Sequence, residues 1–459
     1  MTIEQLYEIY LRHPSIQTDT RQLRPGDLFF ALKGPNFNGN QFAAKALGLG
    51  AAYVIVDEPP GQTPDTTASA GLEPNAPAPA DLIPPEAANR LILVPDVLTT
   101  LQQLALHHRQ QFNIPFIAIT GSNGKTTTKE LIHAVLSSTF TTYTTKGNLN
   151  NHIGIPLTIL SVQKDAQLAV IEMGANHQKE IEGYCRYTLP THGIITNIGK
   201  AHLEGFGGPE GVAKGKGELY DFLRTHNGTA FVLTDSPDLP AMSQGIPHII
   251  TYGTTRDAAK ADGQIIDYVG VATPTPDSFL HVNITHGANT GTIKTQLVGD
   301  YNLPNVLAAV AVGNHFAVPD EKIRHSIEAY TPSNSRSQLI EKDGLHIILD
   351  AYNANPSSMH AAIGNFARFQ GPKTLVLGAM AELGPESLQE HQGIVNLIAQ
   401  YPWQHVVLVG GDFQKLGHPY IGFDTSRQAG EWLRNARLKD AYLLIKGSRS
   451  MKMEEVLAE

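Results

Sequence analysis

A single cysteine, Cys185, in 459 residues excludes an internal disulfide framework and suits a reducing compartment. No apolar run approaches the roughly 18 residues that a membrane-spanning helix requires. The N-terminal segment MTIEQLYEIYLRHPSI lacks a basic region followed by an apolar stretch. It reads as a short amphipathic helix, so the sequence predicts no signal peptide, no membrane span and a cytoplasmic location. No block of like charge stands out either: 34 Lys and Arg against 43 Asp and Glu leave a formal charge of −9. That balance argues against non-specific binding to nucleic acid or anionic membranes, while leaving room for local phosphate pockets. What the chain does have is apolar material, 41% of its residues, and a length beyond one core, which together suggest two to four domains.

Three segments separate along the chain. Residues 1–96 hold short strand patterns at 27–32 and 53–57 around a helical pattern at 42–49. They are followed by a Pro/Ala/Thr/Gly-rich stretch, 59–85, too poor in apolar residues to pack and expected to be a mobile loop. Residues 97–331 open with a helix over 97–111 and carry apolar β-type runs at 116–120, 168–172, 193–197 and 230–234. Helical patterns separate the first of these runs, the βαβ alternation of a parallel sheet; 279–297 reads as antiparallel hairpins. Residues 332–459 alternate strands (346–350, 374–378, 405–410, 442–445) with helices, as in a smaller doubly wound, Rossmann-like domain. The expected class is therefore α/β.

The strongest local signal is IAITGSNGKTTT, 117–128. An apolar strand enters a glycine-rich turn, and a helix leaves it with Leu131, Ile132, Val135 and Leu136 on one face. Gly121 and Gly124 let backbone N–H groups approach a phosphate, Ser122, Asn123 and Thr127 line the turn, and the helix start adds positive potential. Lys125 reaches the terminal phosphates and the Thr126 hydroxyl suits Mg²⁺. The common G-x-x-x-x-G-K-[ST] pattern is not met, because Ile119 stands where its first glycine would be; the variant T-G-x-x-G-K-T is present instead. A plain Gly/Asn turn would explain the glycines but not the Lys-Thr pair between strand and helix.

This variant resembles the loop of the Mur ligases and their folate-modifying relatives, and the resemblance extends over nearly all of the chain outside the Pro-rich stretch. KGNLNNHIGIP (146–156) is similar to the family segment near the substrate pyrophosphate, which implies roles for Asn148 and Asn151. Glu172 ends an apolar strand beside the loop, where a carboxylate is well placed to ligate Mg²⁺. In TNIGKAHLEGFG (196–207) the resemblance makes His202 a ligand of a second Mg²⁺, although imidazole is an unusual Mg²⁺ partner. In VAKGKGE (212–218) it implies that Lys216 is carbamylated by CO₂, with Lys214 as the competing position. Asn302 and Asn305, in GDYNLPNVLAA (299–309), would sit near the nucleotide base and phosphates, and Arg336 would reach the γ-phosphate.

Asp350, ending the strand of IILDAYNANPS (347–357), would accept from ribose hydroxyls, with Tyr352 and Asn355 against the adenine. Within the family, D-x-Y-N-A-N-P points to the member that adds D-alanyl-D-alanine, and GAMAELG (378–384) followed by His391 agrees. Lys446, Ser448 and Arg449 in KGSR (446–449) are implied in substrate binding. QTDTR (17–21), GDLFFALKG (26–34) and FNGN (37–40) resemble a UDP-sugar-binding domain, implicating Thr20 and Arg21. Where the family usually shows D-G-H, this chain has Asn38-Gly-Asn40.

The resemblance thus implies a three-domain enzyme: a small α/β UDP-binding domain, a central P-loop ATPase domain with an added antiparallel part, and a Rossmann-like ligase domain. It implies ATP, two Mg²⁺ ions, UDP-N-acetylmuramoyl-tripeptide and D-alanyl-D-alanine as ligands, and a monomer. A neighbouring Mur enzyme or a folylpolyglutamate synthase is the rival within the ligases; the latter lacks the UDP-binding-like first domain. No N-K-x-D-type guanine reader is seen, which disfavours a P-loop GTPase. A regulatory module that had lost catalysis would show erosion of Lys125, Glu172, His202 or Lys216, and all four are present. Whether the stem peptide carries diaminopimelate or lysine third stays open.

Overall fold

The computed structural model describes residues 1–58, 85–254, 266–273, 279–333 and 335–458. The Pro-rich stretch expected to be a loop lies almost wholly outside them. The described chain is mixed α/β and forms two compact units.

The first unit comprises residues 1–114, 145–166 and 183–189. It opens with helix Ile3–Arg12, whose start is fixed by a capping box between Thr2 and Gln5 and whose Leu6, Ile9 and Tyr10 are buried. Strands β1 (Ile16–Gln17) and β2 (Leu28–Phe30) precede a hairpin of β3 (Lys33–Gly34) and β4 (Phe37–Asn38). Strands β5 (Tyr53–Val56) and β6 (Leu91–Leu93) complete a parallel sheet of order β1-β2-β5-β6. Phe29, Val54 and Val56 pack there on Ala43, Ala46 and Leu47 of helix Ala43–Gly48. Removing such side chains from water stabilises the fold by roughly 1.5–3 kcal/mol each for the larger ones. Helices Val97–Arg109, capped by Asp96, and Gly154–Leu160 pack together in this unit. The buried Arg109 fastens it internally by donating to the carbonyls of Thr188, Phe112 and Leu189 at 2.8, 2.8 and 3.0 Å.

The second unit holds residues 115–144, 167–182 and 190–459, with two sheets. The first uses β7 (Phe116–Thr120), β8 (Thr142–Thr144), β9 (Leu168–Glu172), β10 (His192–Ile195), β11 (Thr229–Leu233), β12 (His248–Gly253), β13 (Tyr268–Thr273), β14 (Phe279–His286) and β15 (Thr292–Val298). Its order is β15-β14-β13-β12-β11-β10-β7-β9-β8. The strands from β8 across to β13 run parallel, and β14 and β15 add the antiparallel hairpin expected from 279–297. Every residue of β7 and β9 is buried, which is why they read as unbroken apolar runs: helices cover both faces. β10 stops at Ile195, two residues before the sequence pattern does, because the Thr196 and Asn197 side chains turn to bond the neighbouring loop.

The second sheet comprises β16 (Gln338–Lys342), β17 (Leu345–Asp350), β18 (Lys373–Gly378), β19 (His405–Val409), β20 (Ile421–Phe423) and β21 (Ala441–Lys446), in order β16-β17-β21-β18-β19-β20. All pairs but β16–β17 are parallel, as in a Rossmann-like sheet. Ile347, Val376, Val407, Leu443 and Ile445 form its core with Ala429, Met453 and Val456. In the nine-stranded sheet β7 has β9 on one side and β10 on the other, so the chain reverses its winding there. The crevice beyond such a switch point, at the strands' C-terminal ends, is where open α/β sheets bind ligands.

Candidate active site

At the C-terminal end of β7 the backbone must turn without side chains. Gly121 has φ +137°, and a Cβ there would lie 2.0 Å from Thr196 Oγ1. Gly124, at φ +78°, precedes helix Lys125–Ser137, and a Cβ would lie 2.7 Å from Asn305 Oδ1. The end of β10 holds this loop. The Ser122 N–H donates to the Asn197 carbonyl (3.0 Å), and the Asn123 N–H to Asn197 Oδ1 (3.0 Å). The Asn123 carbonyl accepts from Thr196 Oγ1 (2.6 Å) and Asn197 Nδ2 (3.1 Å). Ser122 Oγ both donates to the Gly199 carbonyl and accepts from its N–H. Thr196 and Asn197 are thus structural parts of the site that sequence reasoning passed over; the signal was two polar residues directly after an apolar strand.

Lys125 folds back over the loop, donating from Nζ to the carbonyls of Gly121 (2.7 Å) and Ser122 (3.2 Å). Desolvation of its ammonium lowers its pKa to about 8; repulsion from Arg336 adds to the fall and the Glu172 carboxylate opposes it. Thr126 Oγ1 donates to Glu172 Oε1 at 3.1 Å, joining the helix start to the buried end of β9. Thr127, the next residue of the helix, is half-buried. Among the described residues no three His, Cys, Asp or Glu side chains converge into a complete metal cage. The oxygen pair of Thr126 and Glu172 nevertheless fits Mg²⁺, a hard cation that takes few protein ligands and completes its shell with phosphate oxygens and water.

Lys216 is 1% exposed, its Nζ donating to the Ala175 carbonyl at 2.9 Å and lying 4.8 Å from the centre of the Phe206 ring. Burial, and then repulsion by Lys125, hold its pKa far below the usual lysine range, against the pull of Glu180 and Glu218. Lys214, the competing lysine, is exposed. His202 has a left-handed backbone, φ +53°, and its Nδ1 contacts the Glu382 carboxylate. That hydrogen bond lowers the Glu382 pKa.

Asn302 and Asn305 are buried and bonded within the fold. Asn305 donates to Asn302 Oδ1 (2.9 Å) and accepts from Thr128 Oγ1 (3.0 Å), while Asn302 donates to the Val298 carbonyl (2.9 Å). They brace the P-loop helix against helix Leu303–His315. The Arg336 guanidinium lies 3.6 Å over the Tyr352 ring. Asp350 at the end of β17 is paired with Lys446, Oδ2 to Nζ 2.6 Å, and accepts the Ser337 N–H at 3.2 Å. Lys446 is 2% exposed, so its ammonium serves Asp350 rather than open solvent. Asn355 caps helix Pro356–Phe366 and donates from Nδ2 to Asn123 Oδ1 at 2.7 Å, joining the last domain to the P-loop. Ser448 Oγ donates to the Ala379 carbonyl (2.6 Å), and Arg449 pairs with Glu454 (2.9 Å). His391, fully buried, uses both ring nitrogens to hold the turn after β18, between the Met380 N–H and the Ser387 carbonyl.

The first unit carries its own cleft, about 460 Å³, lined by Thr18, Thr20, Arg21, Phe37, Phe42 and Lys45. Phe37 and Phe42 stack at 5.5 Å, offering an apolar wall beside two cations. Arg21 pairs with Asp19 (2.6 Å), which holds the Asp19 carboxyl below its usual range. Asn38 and Asn40 face inward, to Glu58 (2.9 Å) and Asp57 (2.8 Å). Asn151 in the same unit accepts from the Gly154 N–H at 2.9 Å, starting helix Gly154–Leu160, while Asn148 is exposed.

The Mur ligase middle domain matches residues 119–313, the Mur ligase glutamate ligase domain residues 335–450, and the Mur ligase family catalytic domain residues 14–109. The chain belongs to the Mur ligase family. This Mur ligase is 34% identical to the UDP-N-acetylmuramoyl-tripeptide--D-alanyl-D-alanine ligase of Bacillus subtilis, over 99% of this chain and 94% of that protein. A crystal structure of MurF from Acinetobacter baumannii superposes with a TM-score of 0.82 at 30% identity, covering 100% and 98% of the two chains. The MurF ligase of Thermotoga maritima, solved in complex with ADP, gives 0.81 at 26% identity over 97% of each. The three-domain Mur ligase fold is therefore that of this chain.

Because Lys125 loses its proton near pH 8, and phosphates need its charge, ATP affinity of this Mur ligase should fall as pH rises through about 8. The fall is at most about tenfold per pH unit. Calorimetric titration of Lys125→Arg, whose guanidinium does not titrate there, should show no such fall; a pH-independent wild type would contradict the assignment.

Proposed function

We propose that this Mur ligase joins D-alanyl-D-alanine to UDP-N-acetylmuramoyl-tripeptide at the expense of ATP, through an acyl phosphate, in peptidoglycan precursor synthesis. The observation that carries this reading is the P-loop at the switch point, with Lys125, Thr126 and Glu172 together and Asn355 and Arg336 approaching from the last domain.

The terminal carboxylate of the tripeptide attacks the γ-phosphorus; the bond to the β,γ-bridging oxygen breaks and ADP leaves. The D-alanyl-D-alanine amine then attacks the acyl carbon, and the tetrahedral intermediate expels phosphate as the amide forms and the amine's proton is lost. Two anions must meet in the first step. Lys125 and Arg336 place positive charge on either side of the phosphoryl group, in fixed positions that need no reorganisation. Backbone N–H groups of 124–127 at the helix start cradle the phosphates, Asn302 and Asn305 keep that cradle in shape, and Asp350, held by Lys446, receives the ribose with Tyr352 and Asn355 beside the adenine. Mg²⁺, bound through Thr126 and Glu172 for one ion and His202 and carbamylated Lys216 for the other, would neutralise charge on the phosphates.

Thr20 and Arg21 hold the UDP moiety in the cleft of the first unit. Asn148 and Asn151 serve the pyrophosphate, and the exposed Arg449 meets the acceptor, while the buried Lys446 and Ser448 hold the strand end that presents it. The domain limits 1–96, 97–331 and 332–459, a monomer and a cytoplasmic site of action complete the proposal. The carbamate reading draws on chemistry: a buried amine held neutral is nucleophilic towards CO₂, and the product is the anion that a divalent ion would need.

Purified protein should release ADP over many turnovers only when ATP, UDP-muramoyl-tripeptide and D-alanyl-D-alanine are all present, and Lys125→Ala should lose this turnover while keeping the UDP substrate bound. Turnover by Lys125→Ala close to that of wild type would overturn the assignment. Native mass spectrometry in bicarbonate should find the added mass of one CO₂ on wild type but not on Lys216→Ala. An unmodified Lys216 in a metal-loaded crystal would refute the carbamate.

A further inference from the structure

The loop from Gly199 to Glu204 carries His202, and it is held from two sides. On one side Ser122 of the P-loop bonds both the N–H and the carbonyl of Gly199. On the other, separate elements of the last domain reach it. The Lys200 N–H donates to Ser357 Oγ (3.0 Å), in the first turn of helix Pro356–Phe366. The Lys200 ammonium donates to Glu390 Oε1 (2.5 Å), in helix Ser387–Ile398. Glu382, in the turn after β18, contacts His202, and its carbonyl accepts the Glu204 N–H at 3.4 Å.

We propose that Lys200 and Glu390 are a positioning pair through which the last domain sets the His202 loop as the ligase site assembles. The charged contact suits this role because its attraction reaches further than a hydrogen bond and so guides docking before the short contacts close. Glu390 is 12% exposed and Lys200 48%, so separating them strands a largely covered carboxylate, while the lysine can swing to solvent. Neither side chain touches the reacting atoms; both act through the loop. The proposal rests on the ligase reading above for its kinetic consequence, but not for its structural one.

The test is charge exchange in the full-length protein. Glu390→Lys and Lys200→Glu should each lower kcat by about tenfold, with KM for the UDP substrate nearly unchanged, and the double exchange should recover most of the loss. The milder Glu390→Gln should fall between wild type and Glu390→Lys. In parallel, spin labels at Glu321→Cys and Arg427→Cys, two strongly exposed sites in the central and last domains, report the distance between those domains; the native Cys185 is buried. Wild type with an ATP analogue should give a narrow distribution, Glu390→Lys a broader one, and the double exchange the narrow one again. Single variants indistinguishable from wild type in both kcat and distance would overturn the proposal, as would a double exchange no better than the singles. If wild type itself shows no ligation, the ligase reading fails, and the distance distributions still decide the pair.

Discussion

The turn between β7 and helix Lys125–Ser137 admits no side chain at Gly121 or Gly124, because Thr196 and Asn305 already fill the space a Cβ would need. That close approach organises the site. It lets Thr196 and Asn197 bond the loop directly, which ends β10 early and sends the chain into the segment bearing His202. It also lets Asn305 reach over the loop to Thr128, so helix Leu303–His315 is locked to the P-loop helix by a buried polar network as well as by apolar packing. A backbone held this way keeps the N–H groups of the helix start that follows aimed at one place without cost at the moment a phosphate arrives.

Charge is arranged around the same point. Lys125 is desolvated and repelled by Arg336 on the side of the last domain, and burial with the charge of Lys125 favours the neutral form of Lys216. Glu172 offsets the effect on Lys125 in part. The repulsion between Lys125 and Arg336 is a condition that triphosphate and carboxylate anions relieve. The Lys125 ammonium occupies itself with its own loop carbonyls, contacts that a phosphate can replace.

Much of this was legible in the sequence. β7 and β9 are buried on both faces, so their apolar runs give the strand limits to the residue, and the glycine-lysine turn between strand and helix marks the site from local chemistry alone. Side-chain partners were less legible. Asn302 and Asn305 were expected at the nucleotide, yet their hydrogen bonds run into the protein, because a turn with no room for a Cβ needs rigid support from behind. Lys446 reads as a substrate ligand in KGSR, but the register of β17 beside β21 sets it next to Asp350. Lys200, Glu382 and Glu390 carry no local signal, since their partners lie up to 190 residues away in sequence. Lys216 could be separated from Lys214 by motif alone; its burial and the exposure of Lys214 supply the physical distinction.

The central claim is that ATP activates a carboxylate by phosphorylation, and oxygen transfer measures this most directly. UDP-muramoyl-tripeptide labelled with oxygen-18 in its terminal carboxylate should be turned over with ATP and D-alanyl-D-alanine and the released phosphate analysed by mass. The account predicts one labelled oxygen in each phosphate formed by ligation. Amide product accompanied by unlabelled phosphate would contradict it.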